Sequence, residues 1–412
     1  MIHVDELAPL WLLIALVAAA VAVAMVAHRF ALPYSVVLVL FGLAVSIVGP
    51  NVSFPVSPEL LLAIVLPGLV FEAAFRTDLD ALRPTAFGIL LLAIPGVVIV
   101  AAIVAVVLSA TSGLSFTEAF LVGAMVAATD PAAILSTFRQ VKVPARLATI
   151  VEMESLVNDG TGIVLFALGL EMLAGGGSLG GSIARFVVSV VGSTLLGAVL
   201  GAIAARLVRR VDDQLTELAI TVVLAYGTYL VADAVGLSGV IATLLAAGVF
   251  GSTARPGLTP RAVEAIEVVW EFVAFLLTAG VFLLVGLAMA PQTLVHAVGP
   301  IAWGIVAILV GRAIVVYGLV GGLTRAVARL RTRPTAGAPV PDPTLPAPWL
   351  HVLFWAGLRG AVSVALALSL PADLPNRDLL QGIVFGIVLF TLIVQGTTSG
   401  WVVRRTGAGS DS

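Results

Sequence analysis

The sequence predicts an all-α protein that crosses a lipid bilayer many times, and three observations carry that expectation. Of its 412 residues, 60% are hydrophobic and 11% are charged, against roughly 45–50% and 25% in soluble domains. Mean hydropathy is +1.16, so the chain lacks the polar residues that a water-facing surface needs. The apolar residues come in long runs, many near the ~20 residues that a helix needs to cross the hydrocarbon core. These runs show no strand-like alternation, and lipid offers no partner to open backbone groups, so helices are expected and a β-barrel is not. A soluble globular enzyme, a disordered chain and a disulfide scaffold are excluded on composition. The net charge of −2 gives no reason to expect a nucleic-acid partner, and the absence of cysteine removes thiolate metal sites.

Each helix can be justified in order by cutting the chain at clusters of Pro, Gly, Arg and Asp. The spans are about 7–27, 33–49, 58–75, 84–110, 116–138, 147–173, 183–208, 216–234, 238–251, 262–289, 297–328, 349–370 and 378–403. The first does not read as a cleaved signal and is expected to span, because Asp5 and Glu6 stand where a basic segment would precede it. Thirteen spans put the two ends on opposite sides. Seventeen of the Lys and Arg residues then fall on one side, only Arg185 and Arg377 fall on the other, and Arg312 and Arg359 fall inside spans. Basic residues collect in cytoplasmic loops. The N-terminus is therefore expected outside and the C-terminus in the cytoplasm. The 331–348 segment is rich in Pro and Ala and reads as a flexible cytoplasmic loop. No soluble domain and no regulatory tail are expected, since only seven residues follow Arg405. Nothing resembles a nucleotide-binding loop, so any transport is expected to draw on a gradient.

An ionisable residue at mid-membrane costs ~2.5–3.5 kcal/mol on insertion scales, and each is a functional candidate. The fifth span reads Ala128-Thr129-Asp130-Pro131-Ala132. Proline removes a backbone donor and disfavours helix at the residue before it, so a break is expected at Asp130. The sixth reads Glu152-Met153-Glu154-Ser155-Leu156-Val157-Asn158-Asp159-Gly160. Ser155 and Asp159 are four apart and share a face. With Thr129 and Asp130 opposite, carboxylate, hydroxyl and carbonyl oxygens suit a hard cation. The twelfth span reads Gly357-Leu358-Arg359-Gly360-Ala361-Val362-Ser363, which suggests a second interrupted helix. Paired interrupted helices point to a transporter's midplane site. They would be equivalent if helices 1–6 and 8–13 are two inverted repeats.

Arg312 and Arg359 need anionic partners, and Glu154 and Glu152 are the candidates for buried ion pairs. Glu72 reads either as an interfacial acid beside Arg76 or as a lining of the ion pathway. Glu264, Glu267 and Glu271 read as a wet inner-end face. Asp233 and Glu118 are expected to be solvated near outer ends. The four His residues show no metal-ligand spacing.

At these residues the chain resembles the electroneutral monovalent cation/proton antiporters, with the prokaryotic NhaP-like sodium/proton antiporters as the nearest group. The resemblance runs from Leu7 to Arg405 and rests on Thr129-Asp130-Pro131, on Glu154 to Gly160 and on Gly357 to Ser363. It implies an NhaA-like fold of thirteen helices in two inverted six-helix repeats with two unwound, crossing helices. A core (about 84–173 and 297–403) would move against a dimer domain (about 7–75 and 183–289). The implied ion- and proton-binding carboxylate is Asp159. Na⁺ or Li⁺ would sit at Asp159, Asp130, Ser155 and Thr129, with Glu72 nearby and Asn158 as the neutral partner of Asp159. Glu154 would form a structural ion pair with Arg312 or Arg359. The resemblance further implies a multi-pass homodimer in the cytoplasmic membrane of a prokaryote. Its partners would be monovalent cations, protons and lipid, with no enzyme activity, nucleotide or cofactor.

The physical mechanism is competition. A carboxylate in a low-dielectric cavity is stabilised by whichever positive species neutralises it, a proton or a cation. If only the loaded forms cross, the two gradients are coupled. The rival readings are a potassium/proton antiporter of the same family, a cation channel, and an intramembrane aspartyl protease with Asp130 and Asp159 as its dyad. The proline beside Asp130 and the buried arginines argue against the protease.

Overall fold

A computed structural model describes residues 8–30, 33–48, 58–77, 85–175, 179–211, 213–289, 291–331 and 345–409. Most of the 331–348 loop lies outside the described residues, as do Arg83 and the acidic start of the chain. Every regular element among the described residues is helical. Seven of these helices are long and apolar enough to cross a membrane, and four shorter apolar helices accompany them.

The helices are α1 (Ala8–Phe30), α2 (Tyr34–Val48) and α3 (Pro58–Arg76), then α4 (Ala86–Thr111), α5 (Phe116–Ala127) and α6 (Ala132–Val141). They continue with α7 (Ala145–Leu173), α8 (Leu179–Val208), α9 (Gln214–Ala234), α10 (Gly239–Ala254) and α11 (Pro260–Ala288). The last are α12 (Val298–Ala326), α13 (Ala347–Trp355), α14 (Ala361–Leu368) and α15 (Arg377–Thr406).

Helix starts follow side-chain chemistry. Orphan N–H groups at a helix start need acceptors. Ser115 and Glu118 form a reciprocal capping box at α5, and Asp213, Ser238 and Thr259 accept from the first turns of α9, α10 and α11. Glu118, expected to be solvated, is instead buried, because Asn376 also donates to it at 2.9 Å. Three spans that read as uniform are not. Pro95 interrupts α4 at Ile94, and α12 and α15 widen into π-helical turns at Ile314–Val320 and Thr391–Gly396.

Packing falls into two sets. In one, α4, α5, α7, α12, α14 and α15 pack on one another; in the other, α2 and α3 pack on α11, and α10 packs on α3, α8 and α9. Thinner contacts of α7 with α10, α3 and α11 with α14, and α2 with α6 join the sets. Along α8 a row including Ile183, Val187, Val191, Leu195 and Val199 is exposed. An apolar face of that length needs lipid or protein to cover it.

Glycines set the closest approaches. A Cβ on Gly197 of α8 would lie 2.9 Å from the carbonyl carbon of Ala242 in α10, nearer still to its oxygen. Backbone cannot yield as a side-chain tip can. Gly197→Val should therefore destabilise the protein by ~1–3 kcal/mol, the range for overpacked cores. Thermal unfolding in detergent checks this, and an unchanged melting temperature would show that the α8–α10 contact is not tight.

Candidate functional site

The site begins with two broken helices. After α5 the chain is extended at Ala128, and Pro131 has no N–H with which to continue the ladder. The second break separates α13 from α14, where Gly360 sits at φ −151, ψ −135 before the helix resumes at Ala361. The breaks lie against each other. The Asp130 N–H donates to the Leu358 carbonyl at 2.8 Å, and the Ala361 N–H donates to Asp130 Oδ2 at 3.3 Å. Asp130 thus places its carboxylate at the N-terminus of α14, where the helix dipole favours negative charge. Only a residue without a side chain fits at 360, because a Cβ there would come within 2.5 Å of the Asp130 Cβ.

The end of α13 is closed by Arg312 of α12. Its Nε and Nη2 donate to the Leu353 carbonyl at 3.2 and 2.8 Å. The same guanidinium grips Glu154 of α7 with both nitrogens, Nη2 reaching Oε2 at 3.0 Å and Nη1 reaching Oε1. Glu154 is 1% exposed and Arg312 is 5% exposed. Of the two arginines considered for Glu154, Arg312 is therefore the direct partner. Arg359 is buried alongside, and its backbone N–H donates to Thr391 Oγ1 at 3.0 Å, in the π-helical turn of α15. Glu152, expected to share in these pairs, lines the cavity instead. It lies two residues from Glu154 and so on another face of α7.

Behind the crossing stands a buried polar trio. Asn158 Oδ1 accepts from the Thr129 N–H at 3.0 Å, and its Nδ2 donates to Thr129 Oγ1 at 2.6 Å. Thr129 Oγ1 also meets Ser155 Oγ at 3.0 Å. Asn158 therefore braces the break in the fifth span, and both ends of its amide are turned to Thr129. Thr129, Ser155 and Asn158 are each 3% exposed or less.

In front of the crossing lies a cavity of about 1070 Å³. Asp159, Asp130, Glu72, Glu152, Arg76 and Glu271 supply its charges, and Leu66, Val70, Tyr34 and Phe275 are on its apolar wall. Tyr34 and Phe275 stack there at 5.5 Å. Glu72 lines the cavity and receives Arg76 Nη1 at 2.9 Å. Glu271 lies 3.9 Å from that same nitrogen, while Glu267 is paired with Arg255 outside the cavity and Glu264 is exposed. Asp159 differs from the other acids. Its carboxylate opens on the cavity, and among the described residues no hydrogen bond or ion pair meets it. No group of three or more His, Cys, Asp or Glu converges among the described residues as on a resident metal ion.

Of the residues singled out in the sequence, the structure brings Asp159, Asp130 and Glu72 to the cavity, Thr129, Ser155 and Asn158 to the trio, and Glu154 and Arg312 to the ion pair. Sequence reasoning gave Gly360 no role beyond breaking a helix. Its adjacency to Arg359 was visible, but its contact with Asp130 is made by residues 230 positions away in the chain.

Two interrupted helices that cross beside a carboxylate-lined cavity, inside an apolar bundle, define a secondary transporter of small ions. The family model described as "Sodium/hydrogen exchanger, transmembrane" matches residues 12–405, and the chain belongs to that family. It is 38% identical to the Na⁺/H⁺ antiporter ApNhaP of Aphanothece halophytica over 383 residues, covering 91% of this chain and 70% of that one. It is 31% identical to the Na⁺/H⁺ antiporter NhaH of Halobacillus dabanensis, covering 95% of this chain and 96% of that one. Its fold matches the solved structure of the sodium proton antiporter MjNhaP1 of Methanocaldococcus jannaschii with a TM-score of 0.77, at 19% identity, over 96% of this chain and 99% of that one. The family consists of transporters and not enzymes.

Glu154→Ala should leave the Arg312 guanidinium buried without its carboxylate. A loss of ~3–5 kcal/mol is expected for breaking such a pair, read as a lowered melting temperature in detergent. An unchanged melting temperature with lost transport would make Glu154 a transport residue.

Proposed function

We propose that this protein exchanges Na⁺ (or Li⁺) for H⁺ across the cytoplasmic membrane of a prokaryote, one ion for one proton, by alternating access at Asp159. The observation that carries this reading is the contrast among four acids of the site. Glu154 is neutralised by Arg312, Glu72 is paired with Arg76, and Asp130 is held at the start of α14. Asp159 alone of these four opens on the cavity with no protein partner among the described residues. A charged oxygen group out of bulk water requires compensation. A proton and a cation provide it equally well and exclude one another.

The helix count of this proposal is thirteen crossings in two inverted six-helix repeats, with the N-terminus outside and the C-terminus in the cytoplasm. The basic side of that topology agrees with the cavity's lining, which includes Arg76 together with Val143 and Thr149, neighbours in sequence of Lys142 and Arg146. By the positive-inside rule the cavity then opens to the cytoplasm, and the arrangement is inward-open. The two packing sets suit a core that carries the ion and a second domain that stays fixed, with the exposed face of α8 available to lipid and the fixed domain forming a homodimer.

In this cycle Thr129, Ser155 and Asn158 hold the crossing in shape, and the hydroxyls and carbonyls beside Asp159 replace water around the ion. Na⁺ entering from the cytoplasm binds Asp159 in place of a proton. The loaded core moves, Na⁺ leaves outside, and a proton takes its place for the return. Each half-cycle carries one positive charge on one carboxylate.

Asp159→Asn should abolish exchange in proteoliposomes while leaving the folded protein intact; antiport above a few per cent of the unsubstituted protein would sink the assignment. Asn158 cannot take up a proton, so one carboxylate carries one charge. Antiport should reverse where the Na⁺ and H⁺ gradients are equal, at every potential set with K⁺ and valinomycin. A reversal point that moves with voltage would contradict one-to-one exchange. Repeating the assay with Li⁺ and K⁺ fixes the ion.

A further inference from the structure

Gly160 follows Asp159 directly on α7, and it lies in close contact with α10. A Cβ on Gly160 would lie 2.5 Å from Ile241 Cγ1, 3.2 Å from Cδ1 and 3.5 Å from the Ile241 backbone nitrogen. Ile241 is 4% exposed and sits in the first turn of α10. This contact crosses between the two packing sets, since α7 packs with the broken helices and α10 with α3, α8 and α9.

The position along α7 gives the contact its meaning. The cavity reaches Asp159 from the end of α7 that carries Thr149, Glu152 and Leu156, all of which line it. Gly160 stands beyond Asp159 on that path, and neither Gly160 nor Ile241 lines the cavity. Ile241 is also held firmly. Ser238 caps its helix through the Ile241 N–H, Ser193 of α8 accepts from the Ser238 N–H at 2.8 Å, and Gly197 lets α8 lie on the backbone of the next residue, Ala242. A rigid apolar tip therefore rests on bare backbone one residue past the carboxylate. No hydrogen bond joins the two, so the contact can part and re-form without leaving a polar group unpaired.

We propose that Gly160 and Ile241 are the closure that seals the Asp159 site from the outside in the inward-open arrangement, and that opening outward requires them to separate. The inference rests on the alternating-access reading, and the experiment distinguishes failure of one from failure of the other. Adding a methyl at 160 crowds the closed contact, and shortening Ile241 removes packing from it. Either change weakens the inward-open arrangement relative to the outward-open one. Together they restore a filled contact, because the added methyl occupies part of the space the isoleucine vacated.

The chain has no cysteine, so a single Thr149→Cys reports on the cavity. The full-length protein is placed in vesicles with the cavity mouth facing the bath. Labelling of residue 149 by a membrane-impermeant maleimide is then timed at alkaline pH. With Gly160 and Ile241 in place, Na⁺ in the bath alone should strand carriers facing the lumen and slow labelling, and Na⁺ in the lumen alone should speed it. No difference between those two conditions overturns alternating access itself. Given that difference, Gly160→Ala and Ile241→Ala should each shift the inward–outward equilibrium about tenfold toward the lumen, as overpacking and cavity effects allow, and Gly160→Ala/Ile241→Ala should recover most of the loss. Labelling unchanged in Ile241→Ala, the variant with less risk to folding, or losses that simply add in the double variant, overturns the closure.

Discussion

A helix cannot be broken inside lipid unless its freed peptide groups find partners, and the structure is organised around meeting that constraint twice. Each interruption leaves N–H and carbonyl groups whose exposure to hydrocarbon would cost several kcal/mol. The break after α5 and the break between α13 and α14 satisfy part of this by facing one another, Asp130 N–H to Leu358 carbonyl and Ala361 N–H to Asp130 carboxylate. Asn158 accepts from the Thr129 N–H and Thr391 from the Arg359 N–H, and Arg312 closes the end of α13. It holds the Leu353 carbonyl at the end of α13 and Glu154 on α7 with one guanidinium. Arginine suits this role because its planar fork can serve a carboxylate and a carbonyl together. With those ends secured, irregular backbone can lie beside the cavity.

The same constraint explains how acids of one chemical kind hold different stations. Glu154 and Asp130 are committed to closing the breaks. Glu72 is tied to Arg76 at the cavity wall. Asp159 belongs to an unbroken helix, α7, and no backbone end depends on it. Its carboxylate opens on the cavity, with no hydrogen bond or ion pair among the described residues. The neighbours that keep it in place, Ser155 and Asn158, reach across to Thr129 and tie α7 to the break itself. The position of Asp159 and the geometry of the crossing are thereby mechanically linked, although among the described residues no bond joins its carboxylate to either broken helix.

Much of this was legible in the sequence because Pro and Gly punctuate a chain that is otherwise apolar. Pro131 marked the first break, and Gly357 with Gly360 marked the second. Other features depend on which face of a helix meets which neighbour, and periodicity cannot resolve that in runs apolar on all sides. Arg312 and Arg359 read alike, since both sit in apolar runs; only three-dimensional packing sets Arg312 against Glu154. Asn158 is next to Asp159 in sequence but about 100° around the helix from it, so it faces Thr129. Glu118 read as solvated because its partner Asn376 is far along the chain. The π-helical turns in α12 and α15 have no composition signal.

In the proposed exchange one carboxylate, Asp159, binds a sodium ion or a proton and never both. Calorimetric titration of the purified protein with Na⁺, repeated in buffers of different ionisation enthalpy, counts the protons released per ion bound. Near the pH at which the site is half protonated, release should be substantial, should approach one proton per Na⁺ as pH falls, and should vanish together with Na⁺ binding in Asp159→Asn. Sodium binding without proton release across that pH range, or release that survives in Asp159→Asn, would contradict the account.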